Sequence, residues 1–260
     1  MRERLDTLLV ARGLFATRSQ ARAAVLAGEV SVGGRPADKP GSMIDDSSEL
    51  SVAQRPRYVS RGGDKLSHAL QVLGVDVSGE EVCDIGSSTG GFVDCLLQHG
   101  ARRVIAVDVG YGQLHPRVRD DPRVTVLERT NARALTELPF APQLVVCDVS
   151  FISVRTALPP ALRLAAPGWQ ALVLVKPQFE AGRADVGRGG VVRDPAVRAR
   201  VLHEIARASL GWGARVAGVV DSGLPGPKGN REFFLQLEQA EEPTLPDDLD
   251  ERIARAVAPG

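Results

Sequence analysis

The order of apolar and polar positions divides this chain into two unlike stretches. Near the start, Leu5, Leu8 and Leu9 recur at helical spacing, and Gly13 suits the position just past a helix end. Thr17 or Ser19 can cap a second helix that runs through residues 20–27 to Gly28. Residues 29–36 predict a strand entering a Gly33-Gly34 turn, and a further strand is expected near residues 49–52. Farther on, short apolar runs at 82–85, 103–107, 124–127, 143–147, 171–175, 215–220 and 233–237 predict strands. Helices are expected at 92–97 and 195–210, and a short terminal one at 249–257. Apolar strands alternating with helices predict an α/β fold, its mainly parallel sheet covered on both faces, preceded by a small α+β unit. There is no internal repeat.

The expected units are 1–53 and 65–260. Residues 54–64 read as a connector, because Pro56 and Gly62-Gly63 interrupt regular structure. On this reading Lys65 stands just before the first helix of the second unit. Arg55, Arg57 and Arg61 make the connector basic.

Composition adds little beyond excluding classes. With 260 residues, 43% hydrophobic and 25% charged, the chain can bury a substantial core. No run of about 18 apolar residues occurs, so no membrane span is expected. The first residues lack the apolar core of a signal peptide, which leads to the expectation of a cytoplasmic protein. Cys83, Cys95 and Cys147 are too few and too scattered for a disulfide framework or a zinc site, and no metal site is expected. The formal charge is zero, but its distribution is uneven. Arg12, Arg18 and Arg22 stand without an intervening acid, whereas residues 238–251 carry seven acids and no base.

The chemistry begins after the first apolar strand of the second unit. Asp84-Ile-Gly86-Ser87-Ser88-Thr89-Gly90-Gly91-Phe92 is a glycine-rich turn that opens a helix. A ligand there should lie at the carboxyl ends of the strands. The spacing G-x-x-x-G-G departs from the dinucleotide pattern and suits S-adenosylmethionine; a P-loop is excluded, because no Gly-Lys-Ser/Thr follows. Asp108 ends the second strand, where a carboxylate can accept both ribose hydroxyls of an adenosyl group. Asn131, past the third strand, is placed to read adenine, and Asp148 ends the fourth.

Lys65, Asp148, Lys176 and Glu232 form a second group. Asp148 and Lys176 end adjacent apolar strands and should face one cleft. Two lysines and two acids in one cleft are costly unless mutually paired. Beside a methyl donor they suit transfer to a ribose 2′-hydroxyl, which must lose its proton as it attacks. A neutral lysine can take that proton where burial or a second cation weakens its own hold on one. Lys65 could supply that cation to Lys176, with Asp148 and Glu232 holding the groups in line.

Two resemblances follow from these residues. Arg4-Leu5-Asp6, Leu9, Gly13, Thr17-Arg18-Ser19-Gln20-Ala21, Gly28, Val30, Val32 and Gly34 resemble the S4 RNA-binding domain over about fifty residues. Lys65-Asp148-Lys176-Glu232 resembles the Lys-Asp-Lys-Glu tetrad of FtsJ-like ribose 2′-O-methyltransferases. The blocks 60–65, 84–92, 107–113, 128–131, 148–151 and 176–180 are similar to the TlyA family, which joins an S4 domain to an FtsJ-like domain. The resemblance implies a Rossmann-like class I methyltransferase sheet, S-adenosylmethionine as cofactor, and methylation of cytidine ribose in 16S or 23S ribosomal RNA. Ribosomal RNA or ribosomal subunits are then the expected partners. Arg4, Arg18, Arg22, Arg57, Arg61 and Arg188 are the expected RNA contacts. Arg188 lies in the basic, glycine-rich segment 179–193, expected to be a lid.

Two other classes were weighed. A membrane-active, haemolysin-like protein, suggested by an older name of that family, predicts amphipathic or apolar membrane segments, which the short strand runs do not supply. A non-catalytic RNA-binding protein has no use for the tetrad. An amino-group methyltransferase would carry Asn/Asp-Pro-Pro-Tyr/Phe where this chain has Asp148-Val-Ser-Phe151.

Overall fold

The computed structural model describes residues 2–53 and 56–258. The chain divides into two compact units, Met1–Pro56 and Arg57–Gly260.

The first unit contains β1 (Arg2–Arg4), α1 (Leu5–Ala11), α2 (Arg18–Leu26), β2 (Val30–Val32), β3 (Arg35–Pro36), β4 (Met43–Asp45) and β5 (Leu50–Val52). Thr17 accepts a hydrogen bond from the Gln20 N–H and starts α2, as its residue type predicts. Leu5, Leu9, Ala21, Ala24, Val25 and Val30 make a small shared core. Gly33 and Gly34 both have positive φ, so the turn between β2 and β3 requires residues without a Cβ penalty. The pairing of β1 with β4 has no clear apolar alternation and was not foreseen.

The second unit is built on one seven-stranded sheet. Its elements are α3 (Arg61–Leu73), β6 (Glu81–Ile85), α4 (Gly91–Gln98), β7 (Arg103–Val107), α5 (Pro116–Arg119), β8 (Val124–Leu127) and β9 (Leu144–Cys147). Then come α6 (Val154–Ala157), α7 (Pro159–Leu162), β10 (Gln170–Val175), α8 (Pro177–Glu180), α9 (Pro195–Leu210), β11 (Ala214–Asp221), β12 (Phe233–Gln239) and α10 (Leu249–Val257). The spatial order is β11-β12-β10-β9-β6-β7-β8. Strands β8, β7, β6, β9 and β10 are parallel; β12 is antiparallel to both β10 and β11. The sheet buries apolar side chains on both faces, in two separate clusters. The order reverses between β6 and β9, which places the crevice for a ligand at the carboxyl ends of those strands.

The expected connector differs from the structure. Helix α3 begins at Arg61, so Lys65 lies inside it, one turn from its start, rather than before it. The cause is close packing. A Cβ on Gly63 would lie 2.3 Å from Tyr58, whose ring is buried, so glycine here admits a neighbour instead of breaking the helix. The Val59 N–H donates to the buried Asp94 carboxylate at 2.8 Å, which straps residues 58–60 to α4. Gln54 and Arg55 of the connector lie outside the described residues.

Candidate active site

The turn after β6 is shaped by two glycines. Gly86 has φ +90, and a Cβ there would lie 2.4 Å from the Asp148 carbonyl oxygen. Gly91 opens α4, and its Cβ would meet Ser60 Oγ at 2.1 Å. No side chain fits at either point, so the β6–α4 turn sits directly against the ends of β9 and α3.

Two adjoining cavities result. The first, of about 420 Å³, is lined by Gly86, Ser88, Asp108, Gln113, Asn131, Asp148 and Phe151 among others. Asp108 accepts from the Ser88 N–H and the Gly110 N–H, each at 2.7 Å, which fixes its carboxylate at the cavity wall. Asn131 caps a short turn by accepting from the Arg133 N–H at 3.1 Å. The second cavity, of about 450 Å³, is lined by Ser60, Arg61, Lys65, Ser87, Ser88, Thr89, Gly91, Phe92, Asp148, Lys176 and Glu232 among others. Gly86, Ser88 and Asp148 belong to both walls.

All four residues of the expected tetrad therefore meet in one cavity, as two ion pairs. Lys65 Nζ donates to Glu232 Oε2 at 2.5 Å, with both side chains buried. Lys176 Nζ lies 2.5 Å from Asp148 Oδ1 in a pair that is partly open to solvent. That contact is off the hydrogen-bond axis, and the ammonium donates to Ser150 Oγ at 3.0 Å. Gln178 Nε2 donates to Glu232 Oε1 at 3.2 Å. Each lysine thus has its own carboxylate, an arrangement the sequence spacing does not specify.

Two expected cofactor residues line neither cavity. Gly90 is the cap of α4, with φ +92. Asp84 is fully buried, and neither carboxyl oxygen has a hydrogen-bond partner among the described residues. Burial first, then the negative charges of Asp148 and Asp108, push its carboxyl well above the usual carboxylate range.

Ser150, Phe151, Gln178 and Glu180 also shape the site, and their residue types alone assign none of them a role. Phe151 has φ +67, is 87% exposed, and packs its ring 5.0 Å from that of Phe179. A bulky residue held in the left-handed region at a cavity mouth is strained backbone, of the kind that gathers at functional sites. Glu180 is buried, accepts from Ser153 Oγ at 2.6 Å and from the Val154 N–H at 2.7 Å, and so ties the end of α8 to the loop that carries Phe151.

The expected RNA-contacting arginines have mixed surroundings. Arg4 and Arg18 both donate to Asp6, a buried carboxylate whose pKa the Arg4 hydrogen bonds first, with Arg18, hold at about 2. Each keeps about half its side chain exposed. Arg22 is exposed on the same helix as Arg18, and Arg57 lies over the Tyr58 ring. Arg61 donates to the Pro225 carbonyl. Arg188 is exposed on a loop whose base is fixed, because Asn230 accepts from the Val192 N–H and donates to the Gly190 carbonyl. Among the described residues no helix is long and apolar enough to cross a membrane, and no cluster of potential metal ligands occurs.

Comparison with known proteins fits this geometry. Residues 3–50 match the S4 domain and residues 58–239 the FtsJ-like methyltransferase. The 16S/23S rRNA (cytidine-2′-O)-methyltransferase TlyA of Mycobacterium tuberculosis is 45% identical, over 100% of this chain and 98% of that protein. YqxC of Bacillus subtilis, named provisionally as an rRNA methyltransferase, is 48% identical over 98% of this chain and 93% of its own length. A solved structure from Streptococcus thermophilus, described provisionally as a hemolysin, superposes with a TM-score of 0.74 at 42% identity, covering 98% of this chain and 95% of its own. A parallel sheet with one antiparallel strand, a glycine turn pressed against β9, and sequence matches across nearly the full length lead to one family: the chain belongs to the FtsJ-like methyltransferases and carries an S4 domain at its N-terminal end.

Proposed function

We propose that this protein transfers a methyl group from S-adenosylmethionine to the ribose 2′-hydroxyl of a cytidine in ribosomal RNA. The observation that carries the reading is the meeting of two cavities at Gly86 and Asp148, with two lysine–carboxylate pairs lining one of them. The curated relative of known name supports the substrate class.

The residues of the first cavity suit the cofactor. When bound, S-adenosylmethionine supplies an electrophilic methyl group. Asp108, already oriented by two backbone N–H groups, has lone pairs left for ribose hydroxyls. Asn131 has its amide NH₂ left for an adenine edge. Asp84, Asp108 and Asp148 lie near enough that the charges of the other two raise the Asp84 proton affinity, so this end of the sheet favours a cationic ligand. Asp84 lines neither cavity, and its raised proton affinity leaves Asp108 and Asp148 to supply the negative charge there.

In the second cavity, Lys176 is the group placed to take the proton of the attacking hydroxyl. Asp148 and Ser150 hold that nitrogen at the junction of the two cavities. Lys65, clamped by Glu232, which Gln178 also holds, fixes the polar wall opposite. Positioning of donor and acceptor supplies much of the rate. The exposed ring of Phe151 is a stacking surface for the target base. Arg18, Arg22, Arg57, Arg61 and Arg188 serve as phosphate contacts, and Arg4 chiefly fixes Asp6. A cytoplasmic location goes with an rRNA substrate.

The test is label transfer from tritiated S-adenosylmethionine to 30S and 50S subunits that lack the modification, with Lys176→Ala beside the wild type. Wild-type incorporation, lost in Lys176→Ala while cofactor binding persists, is expected. Equal incorporation by both proteins overturns the role given to Lys176.

A further inference from the structure

A third cavity, of about 530 Å³, lies outside the two already described and is lined by Arg193, Arg198, Asp221, Pro225, Arg231 and Val257 among others. Its charges are unequally used. Arg231 donates to Asp221 at 3.1 and 2.8 Å and to the carbonyls of Ala256 and Val257, which end α10. Asp221 and Arg231 thereby neutralise each other. Arg198 is half-buried, and its Nε and Nη2 both donate to the Val192 carbonyl at 3.1 and 3.0 Å. Among the described residues no carboxylate lies within ion-pair distance of Arg198, and Arg193 is exposed beside it at the start of α9.

Two guanidinium groups therefore share a pocket whose lining acid, Asp221, is already paired with Arg231; Asp194, the cap of α9, is the other acid near Arg198. Burial first, and the neighbouring charge of Arg231 second, lower the pKa of Arg198, against the smaller opposing pull of Asp194 and Asp221. An Arg fork with a free Nη1 suits a phosphate oxygen. One hydrogen bond links the pocket to the tetrad cavity: Arg61 lines that cavity and donates to the carbonyl of Pro225, which lines this one.

We propose that Arg193 and Arg198 form a phosphate subsite that grips the backbone of the RNA strand outside the tetrad cavity. The proposal rests on the RNA reading above and adds a contact to it. The subsite is blind to base identity, so it contributes register and affinity rather than sequence choice.

The experiment uses the full chain and measures binding to deproteinised ribosomal RNA across a salt series. Arg193→Gln and Arg198→Gln are compared with Arg163→Gln, an exposed arginine that lines none of the three cavities. Loss of one phosphate contact lowers the slope of log Kd against log salt by about 0.7–0.9 and raises Kd roughly tenfold at low salt. Arg163→Gln should keep the wild-type slope. Arg198 also holds the Val192 carbonyl, so if Arg198→Gln fails to fold, the exposed Arg193→Gln decides alone. Wild-type binding and methylation with an unchanged Arg193→Gln slope overturns the subsite. Absence of wild-type RNA binding overturns the RNA reading itself. A parallel titration with inorganic phosphate separates the sources. If Arg193→Gln abolishes phosphate binding but leaves the RNA slope intact, the pocket takes free anions and the proposal falls.

Discussion

The two lysine–carboxylate pairs should differ sharply in what they contribute to stability. Lys65 and Glu232 have side chains 8% and 0% exposed, so each charge depends on the other. Lys65→Met leaves the Glu232 carboxylate with only the Gln178 amide, which does not neutralise it. Removing one member of a buried pair costs about 3–5 kcal/mol, or roughly 10 °C in Tm for a unit of this size. Lys176 and Asp148 are 12% and 24% exposed, and water can reach the survivor. Lys176→Met should therefore cost about 1 kcal/mol or less. Activity should follow a different order, since loss of a general base lowers turnover by about 10² to 10⁴ whatever its stability cost. Thermal and urea unfolding of Lys65→Met, Glu232→Gln and the double variant complete a cycle. The double variant buries no unpaired charge, so it should be more stable than the sum of the singles by at least about 2 kcal/mol. Equal Tm losses in Lys65→Met and Lys176→Met, with an additive cycle, would refute the reasoning.

Three further outcomes follow from individual residues. Gly86→Ala forces a Cβ to 2.4 Å from the Asp148 carbonyl at the junction of the cavities, so calorimetry should show cofactor affinity reduced at least about tenfold. Phe151→Ala removes an 87% exposed ring, so Tm should stay within about 2 °C while the KM for RNA rises about tenfold, the magnitude of a lost base stack. Asp6 has a folded pKa of about 2, below its unfolded value of about 4. Its contribution is therefore present above about pH 4 and is lost as pH falls toward about 2. Amide exchange in α1 of the full chain should accelerate over that window, and Asp6→Asn should show faster exchange already at neutral pH, with a flatter profile.

The sheet was legible because its strands are short, mainly apolar and bounded by polar residues; β7, β8 and α9 have the limits that the pattern predicts. The tetrad was legible for a related reason: Asp148 and Lys176 follow adjacent apolar strands, and the register Val173↔Cys147 puts their ends side by side. What escaped was what depends on tertiary packing. Gly62-Gly63 read as breakers because the pressure of Tyr58 on Gly63 leaves no local signal. The partition of four charges into Lys65–Glu232 and Lys176–Asp148 depends on side-chain reach, not spacing. Asp84 precedes the glycine turn, but β6 is a central strand buried along its whole length, and a strand residue's burial there is not marked in its own sequence. The arginine pocket joins α9, β11 and the residue before β12, too far apart in sequence to be grouped by any motif.

The central claim is that the site at the junction of the two cavities methylates a ribose hydroxyl. Ribosomal RNA lacking the modification should be incubated with S-adenosylmethionine and the wild-type protein or Lys176→Met, digested to nucleosides, and analysed by mass spectrometry. The account predicts 2′-O-methylcytidine, with the added mass on the ribose fragment, in the wild-type reaction and at least about a hundredfold less with Lys176→Met. The added mass on the base fragment, or the same yield of 2′-O-methylcytidine from Lys176→Met, would contradict it.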